Sequence, residues 1–223
     1  MATLRDKQGV SGLLESEKGG VMFAQVIQGK TTDEAGLLGR LEEWDRSLKS
    51  GAEGFIGSTA GVSDEGEFIT IARFESEEAA RRNSDRPEQG QWWSETERYL
   101  EGEARFYDCT EVELNWDGGS DDAGFVQVIQ GRLKNEDDKG QWREMEREAE
   151  PWIRENRPDL IGGVTAWQGP NFSNFVYFIS EQEARVGEQK QPEQSEGGGP
   201  DEWTDRVEDM KFIDLRRPFF SSP

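Results

Sequence analysis

Histidine is absent from the 223 residues of this sequence. Without an imidazole the chain lacks a Ser-His-Asp triad, an HExxH zinc site and a histidine-ligated haem. Cysteine is almost absent too: Cys109 stands alone, so no disulfide can form within the chain and an oxidising compartment is not implied. Any chemistry must therefore depend on other side chains.

Basic residues are also scarce, with 26 Lys and Arg against 47 Asp and Glu and a formal net charge of -21. Such a surface repels phosphate backbones and anionic lipids, so we expect neither nucleic acid nor a membrane as a partner. No apolar run approaches the roughly 20 residues of a membrane span. The first twenty residues lack the apolar stretch of a secretory signal, which favours a cytoplasmic location.

Motifs for cofactors and metals are missing as well. The sequence contains no Gly-rich dinucleotide fingerprint, no P-loop, no EF-hand loop and no Cys/His ligand cluster. Its acidic residues are scattered rather than placed at ligand spacing. We therefore expect no cofactor and no metal site, and we interpret the acidity as a solvated surface.

The sequence does contain an internal repeat. Residues 23–30 read FAQVIQGK and residues 125–132 read FVQVIQGR, 102 positions later. Further matching residues follow in the same order in the two halves. Phe74 and Ser76 match Phe178 and Ser180, the Pro-Glu-Gln of 87–89 matches that of 192–194, and Phe106 and Asp108 match Phe212 and Asp214. A period of this size predicts two domains rather than solenoid units. We expect an N-terminal flexible arm at 1–20, a first repeat at 21–114, a linker at 115–124 and a second repeat at 125–223.

Each repeat has the pattern of a small mixed domain. In the first, runs rich in branched and aromatic residues predict strands at 21–28, 55–62, 67–74 and 104–114. Leu37, Leu41, Trp44 and Leu48 recur at helical spacing, and a second helix begins at Ser76 and is interrupted near Pro87. The order β-α-β-β-α-β is that of a ferredoxin-like unit.

The second repeat follows the same order. Trp142, Met145, Ala149 and Trp152 predict its first helix, and 160–167 and 174–179 predict a hairpin that turns at 169–171. Ser180 and Glu183 form a capping box. The glycine-rich segment 188–201 predicts a mobile loop before Trp203, and 210–215 predicts the last strand.

The first strand is apolar on both faces, yet two helices can cover only one face of a sheet. The other repeat supplies the missing cover most simply. We therefore expect an α+β fold in which two tandem ferredoxin-like βαββαβ repeats pack their four-stranded antiparallel sheets face to face as an intrachain dimeric α/β barrel, and we expect a monomer.

These residues resemble a known family. FAQVIQGK and FVQVIQGR, the hairpins and the segment from FESEEAARRNSDRPEQGQWW to FYDCTEVE are similar to the dimeric α/β-barrel superfamily, and within it to the antibiotic-biosynthesis-monooxygenase group. The resemblance covers 21–216. Because two such domains usually form a homodimer in that family, a tandem copy implies a fused dimer.

The resemblance implies a pocket in each half for a small hydrophobic or aromatic molecule. It suggests a cofactor-independent monooxygenase, in which the deprotonated substrate itself reduces oxygen. The alternative is a non-catalytic ligand-binding or stress-associated protein, since the superfamily includes members without known activity. The haem-degrading branch is set aside because it relies on a histidine ligand.

Two polar pairs are the candidates for chemistry. Gln25 and Asp108 are predicted catalytic residues, and Gln127 and Asp214 occupy the matching places in the second repeat as predicted substrate-binding residues. A buried amide can orient a ligand, and a partly buried carboxylate can gain basicity. The alternatives are glutamines that bond to each other across the barrel seam, and strand-end carboxylates that bond backbone or arginine.

Aromatic residues are the candidates for walls of a pocket. Trp92, Trp93 and Phe106 are predicted to contact substrate, with core packing as the alternative. Cys109 is replaced by Leu215 in the second repeat. We therefore interpret it as a small buried hydrophobic residue rather than a reactive thiol.

Overall fold

The computed structural model describes residues 22–190 and 205–223. Several predicted features lie outside the described residues. They are the arm at 1–20, the repeated Pro-Glu-Gln at 192–194, most of the loop at 188–201, and Trp203. Everything stated below concerns the described ranges.

Ten strands and five α-helices make up the described part of the chain. The strands are β1 (Phe23–Lys30), β2 (Phe55–Val62), β3 (Glu67–Phe74), β4 (Arg105–Cys109), β5 (Glu111–Asn115), β6 (Phe125–Leu133), β7 (Leu160–Gln168), β8 (Asn171–Phe178), β9 (Val207–Leu215) and β10 (Phe219–Ser221). The helices are α1 (Glu34–Ser47), α2 (Glu77–Ser84), α3 (Pro87–Thr96), α4 (Lys139–Asn156) and α5 (Glu181–Gly187). None of these helices combines the length and the apolar character needed to cross a bilayer.

The strands form two five-stranded antiparallel sheets with orders β10-β2-β3-β1-β4 and β5-β7-β8-β6-β9. The two repeats pair their strands in the same register: Gln25 lies opposite Asp108, and Gln127 lies opposite Asp214. The predicted fold of two tandem ferredoxin-like repeats is therefore confirmed.

The sheets have five strands instead of four because the repeats exchange their last strands. The segment 104–114, predicted as one strand, is two: β4 pairs with β1 of its own sheet, and β5 pairs with β7 of the other. In return, β10 pairs with β2. Each exchanged strand covers an edge that would otherwise present unpaired N–H and C=O groups.

Local signals place the helices as the sequence predicts. The Ser76 hydroxyl accepts from the Ala79 N–H at 3.2 Å to begin α2, and Pro87 is at the start of α3, where its missing N–H is harmless. In the second repeat one of the two capping-box bonds forms, since Ser180 Oγ accepts from Glu183 N at 3.2 Å, whereas the Glu183 carboxylate accepts from the Ser180 hydroxyl at 2.9 Å. The hairpin turns at Gly169, whose φ is 54°, and β8 begins at Asn171, earlier than predicted.

Successive residues of each strand face opposite sides of its sheet. On β1, Ala24 and Val26 join a core cluster shared with the second sheet, whereas Phe23 packs under the helices with Trp44. The shared cluster contains Ala24, Val26, Ile69, Ile71, Cys109, Ala123, Val126, Val128, Val164, Ala166, Phe175, Tyr177, Ile213 and Leu215. The two sheets therefore pack face to face.

Two polar contacts cross this apolar interface. Gln28 Nε2 donates to Gln130 Oε1 at 2.6 Å, and the hydroxyls of Thr59 and Tyr177 lie 2.8 Å apart. Glutamines do bond across the barrel seam, but the pair is Gln28 with Gln130. Gln25 and Gln127 face the helices, because they lie an odd number of residues away along the same strands.

The contact between Thr59 and Tyr177 allows a test of the packing between the sheets. Tyr177→Phe leaves the Thr59 hydroxyl buried without its partner, so we expect the free energy of unfolding in urea to fall by about 1–2 kcal/mol. Tyr99→Phe is the matched control, because the Tyr99 hydroxyl bonds to no described residue. Equal stability of the two variants would contradict the contact.

Candidate functional site

A cavity of about 100 Å³ lies in the first repeat, between helices α1 to α3 and the helix-facing side of its sheet. Its walls are mostly aromatic and aliphatic, and its lining includes Trp44, Phe55, Phe74, Trp92, Trp93 and Phe219. Gln25, Ile27 and Thr70 form part of its floor. Both α2 and α3 contribute to its lining, as two short helices that are separated just before Pro87.

Most polar side chains around this cavity are already bonded. Trp44 Nε1 donates to Gln89 Oε1 at 2.7 Å, and Trp92 Nε1 donates to the Arg40 carbonyl at 2.9 Å. The Thr96 hydroxyl donates to the Trp92 carbonyl at 2.7 Å. These bonds fix the orientation of the aromatic walls.

The predicted pair of Gln25 and Asp108 is brought together. Gln25 Nε2 donates to Asp108 Oδ1 at 2.8 Å, because β1 and β4 place the two side chains opposite each other on the helix-facing side. Gln25 lines the cavity, whereas Asp108 is exposed beside it. Gln25 Oε1 bonds to no described residue and remains available as an acceptor.

The matching pair in the second repeat has the same geometry with different surroundings. Gln127 Nε2 donates to Asp214 Oδ1 at 2.9 Å. Asp214 also forms an ion pair with Arg185 and lies 3.8 Å from Arg216. Asp108, by contrast, forms no ion pair with any described residue. The charge of the Asp214 carboxylate is therefore neutralised by arginine. This arrangement is the alternative stated above, in which a strand-end carboxylate bonds to arginine.

The three predicted aromatic residues lie side by side at the cavity. Trp92 is buried and Trp93 half-buried, with ring centroids 6.2 Å apart, and both line the wall. Phe106, 46% exposed, packs edge-on against Trp93 at 5.0 Å and lies outside the lining. Phe106 therefore supports Trp93 from the outer side.

Cys109 lies on the opposite face of the sheet, in the shared core. Burial, reinforced by the nearby Asp108 charge, raises the pKa of the Cys109 thiol to about 12. A thiol with this pKa is almost entirely protonated at neutral pH, so it is a poor nucleophile.

A second cleft, of about 490 Å³, lies in the second repeat between β5 and α4, and sequence reasoning missed its central residue, Glu146. Asn115 Nδ2 lies 3.4 Å from Glu146 Oε1. Burial first and the Glu113 charge second raise the pKa of the Glu146 carboxyl, hydrogen bonds from Trp142 and Asn115 oppose the shift, and the resulting pKa is about 7. A signal existed: Glu146 follows Trp142 by four residues, on the apolar face of the helix.

Strand register shows how the two repeats differ here. Phe219 lies opposite Ala60, and Glu113 lies opposite Thr165, at corresponding places in the two sheets. Phe219 lines the apolar cavity, and Glu113 lines the charged cleft. The exchanged strand therefore makes one site apolar and the other ionic. In the described part of the chain, no three acidic or cysteine side chains are grouped to hold a metal ion.

Comparison with known proteins identifies the fold. No family model matches the sequence, and no curated protein matches it. A solved structure from Fusobacterium nucleatum, of a protein proposed to be a monooxygenase, superposes with a TM-score of 0.70 at 11% identity and covers 91% of this chain and 94% of its own. A similarly described protein from Lactobacillus acidophilus gives 0.69 at 12% identity, covering 91% and 97%.

A third solved structure, of an anthrone oxidase-like protein, gives a TM-score of 0.59 at 13% identity and covers 92% of this chain and 95% of its own. All three matches extend over both repeats. At such identities the likeness concerns the fold. The chain therefore shares the overall fold of these three structures, with two tandem βαββαβ repeats in one polypeptide.

Proposed function

We propose that the protein binds a small hydrophobic or aromatic molecule in the cavity of the first repeat and oxidises it as a cofactor-independent monooxygenase. The observation that carries the proposal is the partly open aromatic cavity with one oriented amide, Gln25, on its floor. The solved structures of proteins proposed to be monooxygenases support it through the shared fold.

The size of the cavity limits the substrate. Its volume of about 100 Å³ is below the roughly 150 Å³ that holds a benzene ring in an engineered protein core. A single-ring phenol is therefore the largest substrate that we propose, and even this ring requires side chains of the lining to shift. The aromatic walls favour a flat, electron-rich ring over an aliphatic chain.

The proposed reaction needs only the substrate and oxygen. A phenol whose para C–H becomes a second carbonyl gives a quinone, with one oxygen atom entering the product and the other leaving as water. The substrate supplies all four electrons, so no external reductant is required. The protein contributes exclusion of water and a hydrogen bond from the phenol hydroxyl to Gln25 Oε1, with the amide held by Asp108.

One observation favours the alternative of a ligand-binding protein without chemistry. No ionisable side chain of the described residues lines the cavity, and Asp108 reaches it only through Gln25. A phenol would then bind without losing its proton. Binding and oxygen consumption must therefore be measured separately.

The first test compares the two equivalent glutamines. With phenols that are unsubstituted at the para position as the probe, we expect quenching of tryptophan fluorescence and oxygen uptake, and we expect Gln25→Leu to weaken both about tenfold. Gln127→Leu, in the second repeat, is the matched control and should leave both unchanged. Quenching without oxygen uptake would support the binding protein, and the absence of quenching would refute both functions.

Glu146 gives the second repeat the acid–base group that the first cavity lacks. A carboxyl with a pKa of about 7 is half-protonated near neutral pH and can both accept and donate a proton. Its place beside Asn115 in an open cleft is consistent with proton transfer to a polar ligand. The same burial must also affect stability.

The folded state holds the Glu146 proton more tightly than the unfolded state, because the folded pKa is raised from 4.5 to about 7. Stability from this group is therefore complete below the unfolded pKa and falls as the pH rises through about 7. Relative to Glu146→Gln, we expect the wild type to lose up to about 3 kcal/mol between pH 5 and pH 8 in urea unfolding. Glu148→Gln, an exposed neighbour on α4, is the control, and a pH-independent difference for Glu146→Gln would contradict the burial.

The packing of the two sheets within one chain also bears on the oligomeric state of the protein. Because each sheet buries its apolar face against the other within one polypeptide, no partner chain is needed to cover it. We propose a cytoplasmic monomer, and we expect light scattering to give the mass of one chain, 25.3 kDa, at micromolar concentration. A dimer that persists on dilution would overturn the proposal.

A further inference from the structure

A third opening lies at one end of the barrel, between the two sheets. It has a volume of about 460 Å³, and both repeats line it. We call it the polar cleft and define it by Gln28, Arg105, Gln130, Ser173, Asp209 and Lys211. It is on the inner face of the sheets, whereas the proposed phenol cavity is on the helix side, so the two are separate.

A chain of polar groups forms the floor of the polar cleft. Gln28 Nε2 donates to Gln130 Oε1 at 2.6 Å, and Gln130 Nε2 donates to Ser173 Oγ at 2.8 Å. Gln28 and Ser173 are each only 8% exposed. These bonds leave Gln28 Oε1 as an acceptor and the Ser173 hydroxyl hydrogen as a donor, with no partner among the described residues. Both residues line the polar cleft, so these two groups can bond to a ligand or to water there.

Three basic residues line the polar cleft together with one acidic residue, Asp209, and one of the three, Arg132, is paired with Glu208. Arg105 lies opposite Gln28, and Lys211 lies opposite Gln130, so the two repeats place a cation at equivalent positions. Lys211 pairs with Glu67, but Arg105 makes no ion pair with any described residue. In a chain of net charge -21, an arginine that remains uncompensated at the mouth of a cleft is notable. Its guanidinium is free to bind two oxygens of one anion.

Irregular backbone lies at the same place. The pairing of β6 with β9 shifts register between Gln130 and Arg132, and Asp209 has a φ of 54°, which is uncommon for a residue other than glycine. Bulges and left-handed residues re-aim side chains and are enriched beside binding sites. Here they fall on the rim of the polar cleft.

We infer that the polar cleft binds a small polar molecule through an oxyanion group, carboxylate or phosphate. Arg105 binds the oxyanion, and Gln28 and Ser173 bond to hydroxyl groups on the rest of the molecule. The apolar cavity selects against such a ligand, so this site is additional to the proposed oxidation and does not depend on it.

Isothermal titration calorimetry of the full chain tests the inference with three probes: citrate for the carboxylate, glucose 6-phosphate for the phosphate, and glucose as the neutral control. We expect at least one of the anions to bind at millimolar concentration and glucose not to bind. Arg105→Gln should weaken binding about tenfold, and added salt should weaken it further.

Arg98→Gln is the matched control, because it removes one exposed positive charge outside the polar cleft. We expect it to bind the anion as the wild type does, and a phenol in excess should not compete. Binding by neither anion, or equal weakening by Arg98→Gln and Arg105→Gln, would overturn the inference. Circular dichroism of both variants verifies that each is folded.

Discussion

The burial of two apolar sheet faces against each other is the constraint on which the rest of this structure depends. Val26 and Ile71 of one sheet and Val128 and Phe175 of the other are fully buried in the shared cluster. Burial of apolar surface contributes about 25 cal/mol for each Å² removed from water. Once this interface is fixed, the helices can lie only on the outer faces, which creates one helix-side site in each repeat and one opening between the sheets.

The two repeats share a backbone but have diverged in chemistry. The bond between Gln25 and Asp108 recurs between Gln127 and Asp214, so this pair belongs to the common scaffold. The surroundings of this pair differ between the repeats. The first repeat has an apolar cavity, and the second has a charged cleft that contains Glu146. Duplication within one chain permits such divergence, since a homodimer must carry the same residue at both places.

The sequence predicted the fold well because its signals are local or repeated. Alternating apolar residues, Ser76, Pro87 and the capping box at Ser180 act within a few residues, and the duplicated strand revealed the two halves. The exchange of β5 and β10 escaped prediction, because nothing within 104–114 shows that its two ends pair with different sheets. Strand partners of this kind are decided by distant contacts.

The candidate functional site was harder to predict from the sequence than the fold, because it too depends on contacts between distant parts of the chain. The internal repeat singled out Gln25 and Asp108, but a shift of three residues along the strand decides which glutamine reaches the seam. The raised pKa of Glu146 depends on β5, an edge strand from before the second repeat. The exchange also has a kinetic consequence: β10, residues 219–221, completes the sheet of the first repeat, so this sheet cannot be completed during translation until the second repeat has also been made. Until then the edge of β2 is unpaired and can pair with a strand of another chain.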